Sequence, residues 1–230
     1  MSWKATESVA AASHKPRDRL NSLLVQGESL TPWLIRYAYE EGAFPMTVED
    51  GSVDWFQPRY RAIFPITGMH VSRSLRKCID RGDFEVRFDT AFEDVMRGCL
   101  RPDDNWISED FIRVYTQIHH EGWGHSSECW QGGELVGGVY GIAIGACFCA
   151  ESMFHRRTNA SKVALWALVE RCRELGFTIF DAQIMNPHLH SLGAYEVAHL
   201  EYMAMLRDAM AQTTPWSRVP ISLEPQLPDV

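Results

Sequence analysis

The sequence predicts an α+β fold, a mixed but mainly antiparallel sheet flanked by helices, with a small N-terminal α/β domain before it. Three observations predict it. Segments that alternate apolar and charged residues, such as Phe84-Glu85-Val86-Arg87-Phe88, are interleaved with segments of helical period, such as Glu109 to Glu121. Ser126 to Trp130, the turn Gln131-Gly132-Gly133-Glu134 and Leu135 to Ile142 read as a hairpin, which makes its strands antiparallel. Finally, an apolar strand (Ala146 to Phe154), a helical stretch (Asn159 to Leu175, closed by Gly176) and another strand (Thr178 to Ile184) make a late β–α–β unit.

Each element has a local reason. Residues 1–20 read as a flexible leader whose Lys4, Lys15, Arg17 and Arg19 suit solubility. Residues 21–67 form the small domain. There Thr31 caps a helix that carries Pro32 at its first position and runs through Trp33, Ile35, Tyr37, Ala38 and Tyr39 to Gly42, a typical stop. The aromatic-rich stretch Asp54 to Ala62 follows as strand and turn. The larger domain spans residues 68–212. It opens on a helix capped by Ser72, with Arg73, Arg76, Lys77 and Arg81 on one side and Leu75, Cys78 and Ile79 on the other. Thr90 to Leu100 is also helical, as is Glu201 to Met210, and residues 213–230 form an irregular Pro-rich tail. An antiparallel sheet with a late β–α–β element is the plan of the N-acetyltransferase-like (GNAT-like) fold, which by itself does not define a chemistry.

Composition narrows the classes. Of 230 residues 46% are hydrophobic and 11% aromatic, the balance of a folded globular protein. No apolar run approaches the ~20 residues of a membrane span. The first residues lack the apolar centre of a secretory signal, so a cytoplasmic location is expected. Cys78, Cys99, Cys129, Cys147, Cys149 and Cys172 have no disulfide or metal spacing and are expected as free, buried thiols. Cys147 and Cys149, two apart on a strand, point to one face and do not surround a metal. A net charge of −8 means that any contact with nucleic acid must use a local patch.

Three stretches carry chemistry: Phe148-Cys149-Ala150-Glu151-Ser152-Met153-Phe154; Asn159-Ala160-Ser161-Lys162; and Asp181-Ala182-Gln183 with Asn186, followed by Ser191-Leu192-Gly193-Ala194. Glu151 falls within an apolar strand, and Asp181 and Gln183, two apart on another, are expected to share a face. Buried carboxylates and amides need partners. One such residue reads as a structural hydrogen-bond network; three on neighbouring strands point to a site.

These stretches resemble the signature of the leucyl/phenylalanyl-tRNA–protein transferases. The resemblance extends through Leu135 to Gly141, Trp106-Ile107, the basic stretch from Ser72 and Glu41-Gly42-Ala43-Phe44-Pro45, and covers roughly residues 30–207. It implies an enzyme that takes Leu or Phe, less readily Met, from aminoacyl-tRNA and joins it to the N-terminal Arg or Lys of an acceptor protein, marking that protein for degradation. No metal or coenzyme is implied, because the tRNA ester is already an activated acyl donor. A monomer is expected, with no membrane partner.

The reaction is aminolysis of an ester. The acceptor's α-amine has an ordinary pKa near ~7.7–8.0, so part of it is neutral at cytoplasmic pH. The resemblance assigns catalysis to Asp181 and Gln183, with Gln183 bonding the attacking amine and Asp181 polarising or orienting it. It assigns the pocket for the transferred side chain to Tyr115, Phe148, Met153 and Leu165, residues that would otherwise read as core. Trp106 is expected to stack on the terminal adenosine, where a second family Trp is replaced by Met46. Glu151 and Asn186 complete the adenosine and acceptor site, Glu151 receiving the basic acceptor terminus or ordering the site. Arg73, Arg76, Lys77 and Arg81 are expected to bind tRNA phosphates, with Asp80 interrupting the patch; a solvated helix face is the alternative.

Other classes fit less well. An acetyl-CoA-dependent enzyme of the same fold needs a glycine-containing loop for the coenzyme pyrophosphate, and Arg156 to Lys162 contains none. Glu151, Asp181 and Gln183 argue against a non-catalytic RNA-binding module. For a metal enzyme, His119 and His120 face different ways on one helix, and His188 and His190 lack a clear carboxylate or Cys partner; all four read as surface histidines.

Overall fold

A computed structural model of the protein describes residues 13–14, 30–48, 52–101 and 107–216. Helix α1 (Pro32–Glu40) begins as its sequence dictates, with Thr31 Oγ1 accepting from the Leu34 N–H at 3.2 Å and Pro32 in the first turn. Three short strands, β1 (Ser13–His14), β2 (Phe44–Thr47) and β3 (Val53–Pro58), form a small antiparallel sheet in the order β1–β3–β2. The pairing of Ser13–His14 lies within the stretch expected as a leader; residues 1–12 and 15–20, like 217–230 of the tail, lie outside the described residues.

The larger sheet has seven strands: β4 (Tyr60–Phe64), β5 (Glu85–Phe88), β6 (Gly124–Gln131), β7 (Glu134–Ile144), β8 (Cys147–His155), β9 (Ile179–Asp181) and β10 (Tyr195–Ala198). Their order is β10-β4-β9-β8-β7-β6-β5, antiparallel everywhere except between β8 and β9. The β6–β7 turn needs two residues at positive φ, and Gly132 and Gly133 supply them at 60° and 82°. Strand β4 precedes the residue-67 boundary drawn from sequence, yet it lies inside the large sheet between β10 and β9.

The other helices are α2 (Arg73–Asp80), α3 (Phe92–Gly98), α4 (Glu109–His120), α5 (Ala160–Glu174), α6 (Pro187–Ser191) and α7 (His199–Met210). Alternation along β8 divides the core. Cys147 and Cys149 pack in the cluster with α1, α3, α4 and α7, whereas Phe148 packs in the cluster with α2 and α5. Helix α3 has no capping side chain of its own; Glu128, fully buried on β6, accepts from the Thr90 and Ala91 N–H groups at 2.9 and 3.0 Å. All six cysteines are free and buried. Among the described residues, no helix is long and apolar enough to cross a membrane.

Four sequence expectations change. The strand expected over 178–184 ends at Asp181. The elements α6 and β10 were not anticipated, because Asn186-Pro187 and the short Tyr195–Ala198 segment carry too little periodicity. The last helix begins at His199, not Glu201. His119 is half-buried rather than on the surface: it stacks on Phe92 at 4.6 Å, with Nδ1 2.8 Å from the Gly124 carbonyl.

Candidate active site

Parallel strands β8 and β9 pair from Cys147–Ile179 to Cys149–Asp181 and no further. Beyond that point each leaves regular geometry in a way that aims a polar side chain. On β8 the register with β7 slips, since Gly141 faces Ala150 and Tyr140 faces Ser152, so Glu151 is the extra residue of a bulge. The opposing glycine is required: a Cβ on Gly141 would stand 2.2 Å from the Cys149 carbonyl oxygen. On the other side Gln183 has φ 63°, a left-handed conformation that costs a non-glycine residue about 1–2 kcal/mol. Three hydrogen bonds hold it there. Gln183 N–H donates to Asp181 Oδ1 at 2.8 Å, its carbonyl accepts from Ala62 at 3.0 Å, and its Nε2 donates to Glu151 Oε2 at 3.1 Å.

The expectation that Asp181 and Gln183 share a strand face is thereby corrected. They are joined by a turn, backbone to carboxylate. Asp181 is 0% exposed and locked in place. Arg61, itself 1% exposed, approaches it side-on, with Nε 2.9 Å from each oxygen and a second nitrogen 2.7 Å from Oδ2, while Tyr202 donates to Oδ2 at 2.8 Å. The guanidinium also donates to the Gly42 carbonyl at 3.1 Å and lies between the Phe44 and Tyr202 rings at 4.8 and 4.7 Å. The Asp181 carboxylate therefore ties β9, β4, α7 and the end of α1 together.

Glu151 is differently placed. Half-buried, it accepts from the Tyr39 hydroxyl at 2.5 Å as well as from Gln183, and Tyr39 in turn meets the Tyr115 hydroxyl at 3.2 Å. Burial pushes the Glu151 carboxyl up to about 7, although the bonds from Tyr39 and Gln183 pull the other way. Burial, and then the Glu151 charge, hold the Tyr39 hydroxyl well above its ordinary value, so it stays protonated and donates. Cys147, Cys149 and Asp181 bring three possible metal-donor atoms within 4.8 Å of one another. Both Asp181 oxygens are already engaged by Arg61, whose charge opposes a second cation there.

The expected pocket residues are divided by the sheet. Phe148 and Leu165, 0% and 2% exposed, share a cluster with half-buried Met153. Phe148 stacks on Phe180 at 5.4 Å and meets Phe177 edge-on at 6.0 Å. Tyr115 lies in the other cluster, with Phe111 and Tyr140 and beside Tyr39. Trp216, from the stretch expected as an irregular tail, lies 6.1 Å from Phe148 and stacks on His125 at 4.3 Å. His125 Nε2 is 2.9 Å from the Trp216 carbonyl oxygen and its Nδ1 is 2.8 Å from Asp89.

Trp106 lies outside the described residues. Met46 is half-buried on β2 against the first cluster. Asn186 caps α6, its side chain accepting from Leu189 N–H at 2.9 Å. On α2, Arg73, Arg76 and Lys77 are exposed, while Arg81, just past the helix, is paired with Asp83. Sequence reasoning missed Arg61, Tyr39, Tyr202 and Trp216. Only Arg61 had a signal: it stands two residues from Ile63 in an apolar strand, and so faces inward.

The family model described as leucyl/phenylalanyl-tRNA protein transferase matches residues 63–207, and that of its N-terminal domain matches residues 28–59. The leucyl/phenylalanyl-tRNA–protein transferase of Herpetosiphon aurantiacus is 48% identical over 182 residues, covering 79% of this chain and 95% of that protein. That of Chlorobaculum parvum is 49% identical over 180 residues, covering 76% and 93%. Among solved structures, the C-terminal domain of a putative lysylphosphatidylglycerol synthetase from Agrobacterium fabrum has a TM-score of 0.37 at 15% identity, covering 71% of this chain and 55% of that one.

Proposed function

The chain belongs to the leucyl/phenylalanyl-tRNA–protein transferase family, and from that premise we propose how its crevice moves an amino acid. It is an aminoacyltransferase that passes Leu or Phe from aminoacyl-tRNA to the N-terminal Arg or Lys of a protein. The observation that carries the mechanism is the meeting of Glu151 and Gln183 where β8 and β9 part.

The acceptor's α-amine attacks the ester carbonyl carbon, the C–N bond forms, and the C–O bond to the ribose breaks. Gln183 donates its amide N–H to Glu151, which leaves the amide oxygen to accept an N–H of the attacking amine. Glu151, with its carboxyl raised to about 7, is matched to take the proton that the amine loses and to return it to the ribose oxygen as that leaves. The same negative charge suits a basic acceptor terminus. Asp181 has no oxygen free for substrate, so its part is positioning: it fixes the backbone turn that points Gln183 at the amine.

Phe148, Met153 and Leu165 receive the transferred side chain, with Phe180 and Trp216 behind Phe148. Tyr115 acts instead through Tyr39 on Glu151. Trp106 stacks on the adenosine, Asn186 shapes the edge of that site, and Arg73, Arg76 and Lys77 hold tRNA phosphates. We read the fold as N-acetyltransferase-like, on the parting of the parallel pair β8/β9 beside antiparallel strands, with the expected boundary at residue 67 moved back so that β4 joins the transferase domain and the small domain ends before Tyr60. The reading extends to a cytoplasmic monomer that accepts Met more weakly and marks its products for proteolysis.

The test is transfer of radiolabelled Leu and Phe from charged tRNA to a protein beginning with Arg or Lys, beside Gln183→Ala. Label with the wild type and its loss in the variant, at unchanged tRNA affinity, support the reading. Full transfer by Gln183→Ala refutes it.

A further inference from the structure

The motif Asn159-Ala160-Ser161-Lys162 takes no part in the crevice, and three of its residues have packing duties. Asn159 opens α5 at φ 71°. Ala160 is fully buried against Gly137, where an added Cβ would stand 2.5 Å from the Ala160 Cβ. Ser161 is buried, with its hydroxyl 3.4 Å from His155 Nδ1. Lys162, by contrast, is half-buried and has no packing duty of this kind. His155, Arg156 and Arg157 are exposed at the end of β8 and just past it, and His188 is exposed on α6. Partial burial, followed by the charges of Lys162 and His155, holds His188 below its ordinary value.

No ion pair among the described residues involves Arg156, Arg157 or Lys162, in a chain whose net charge is −8. The same holds for Arg73, Arg76 and Lys77 on α2. The helices that carry them share one core cluster, which holds Leu75 and Cys78 of α2 and Ala160 and Ala164 of α5. Helix α6 is tied to the lead-in of α2 by His70 N–H donating to the Leu192 carbonyl at 2.8 Å. Arg81 and Asp80 do not extend this face, since Arg81 is paired with Asp83 and Asp80 is acidic. Arg156, Arg157 and Lys162 stand between the end of β8 and the first turn of α5, and His155 at the end of β8 is four residues, or about 13 Å of strand, from Glu151.

We propose that His155, Arg157, Lys162 and His188 form a second phosphate-binding surface, which holds the single-stranded 3′ end of the tRNA between α2 and the crevice. The proposal rests on the tRNA ester being the donor. Backbone phosphates are its ligand, so it adds affinity and register but reads no base. It would give an acidic protein a second contact for RNA where Asp80 interrupts the basic face of α2.

The experiment uses the full chain and an Arg157→Gln/Lys162→Gln double variant. Affinity for a whole tRNA is measured over a series of KCl concentrations, and transfer is measured from charged tRNA and from a 3′-aminoacyl adenosine, which has no phosphate. Loss of two phosphate contacts to a single strand lowers the slope of log K against log salt by about 1.4 and weakens tRNA binding about tenfold. Transfer from aminoacyl adenosine keeps its wild-type rate. An unchanged affinity and slope overturn the proposal. So does an equal loss with both donors, which marks a folding or crevice defect, and so does a raised KM for an acidic acceptor protein at unchanged tRNA affinity. Absence of transfer by the wild type from either donor is a different failure, that of the donor reading itself.

Discussion

Gln183 reaches Glu151 from a left-handed backbone position, its amide nitrogen 3.1 Å from a carboxylate oxygen that belongs to a bulge on the neighbouring strand. Both irregularities are local costs, and both act on the same pair of groups. Strain of this kind persists where surrounding bonds over-determine it, here those of Asp181 and Ala62.

On the proposed mechanism, Glu151 is expected to make stability and rate depend on pH in opposite directions. Its folded carboxyl, at about 7, lies above its ordinary 4.5, so the folded state binds the proton more tightly. The contribution is full below about pH 4.5 and is lost as pH rises through 7. Glu151→Gln is expected to raise Tm at pH 8 relative to the wild type and to lose that advantage at pH 4.5. The same variant removes from the pH–rate profile of transfer the limb near 7. Thermal melts at the two pH values and a pH series of initial rates check both.

Arg61 and Asp181 are a buried pair whose members cannot be removed singly. Arg61→Ala or Asp181→Ala leaves an uncompensated buried charge and is expected to cost about 3–5 kcal/mol in urea unfolding. Arg61→Lys does not restore the fork and recovers little. The double variant Arg61→Met/Asp181→Leu regains much of the stability but not transfer, because the turn at Gln183 loses its acceptor.

Trp216 backs Phe148 from beyond the last helix. Trp216→Ala is expected to lower Tm and to cost up to about 3 kcal/mol, less than a fully buried Trp because the ring is half-exposed. Phe148 then gains room, and transfer of Phe falls less than transfer of Leu. Trp216→Phe restores most of both. A ratio of kcat/KM values that does not move assigns Trp216 to stability alone.

On the proposed pocket, donor choice is expected to follow the face on which a residue sits. Leu165→Ala enlarges the pocket side and is expected to shift the Phe-to-Leu ratio of kcat/KM by about tenfold in favour of Phe. Tyr115→Phe, on the opposite face, is expected to leave that ratio alone and to slow both donors equally through Tyr39 and Glu151. Competition between labelled Leu and Phe donors reads the ratio directly.

Much of this was legible in the chain. Thr31 and Ser72 cap the helices they were expected to cap, because a hydroxyl one residue before an apolar periodic run has a local partner in the third N–H beyond it. The β6–β7 hairpin and the helix of the β–α–β unit follow from period and glycine placement. Trp216 was not legible, since its partners Phe148, Phe177 and His125 are distant in sequence and its own segment has no period. Nor was the division of Tyr115 from Phe148, which depends on which side of the sheet each helix packs.

The sequence by itself determined where helices start, which strands pair through tight turns, and that Glu151, Asp181 and Gln183 need partners, because caps, turns and the desolvation of polar groups are local properties. Tertiary structure alone decided what those partners are. A bulge opposite Gly141 turned Glu151 toward Gln183, and β4, drawn into the large sheet, brought Arg61 to Asp181. The physical reason is that a buried carboxylate is satisfied by whichever cation and donors the chain topology carries to it, and that choice is made by strand order over a separation of 120 residues.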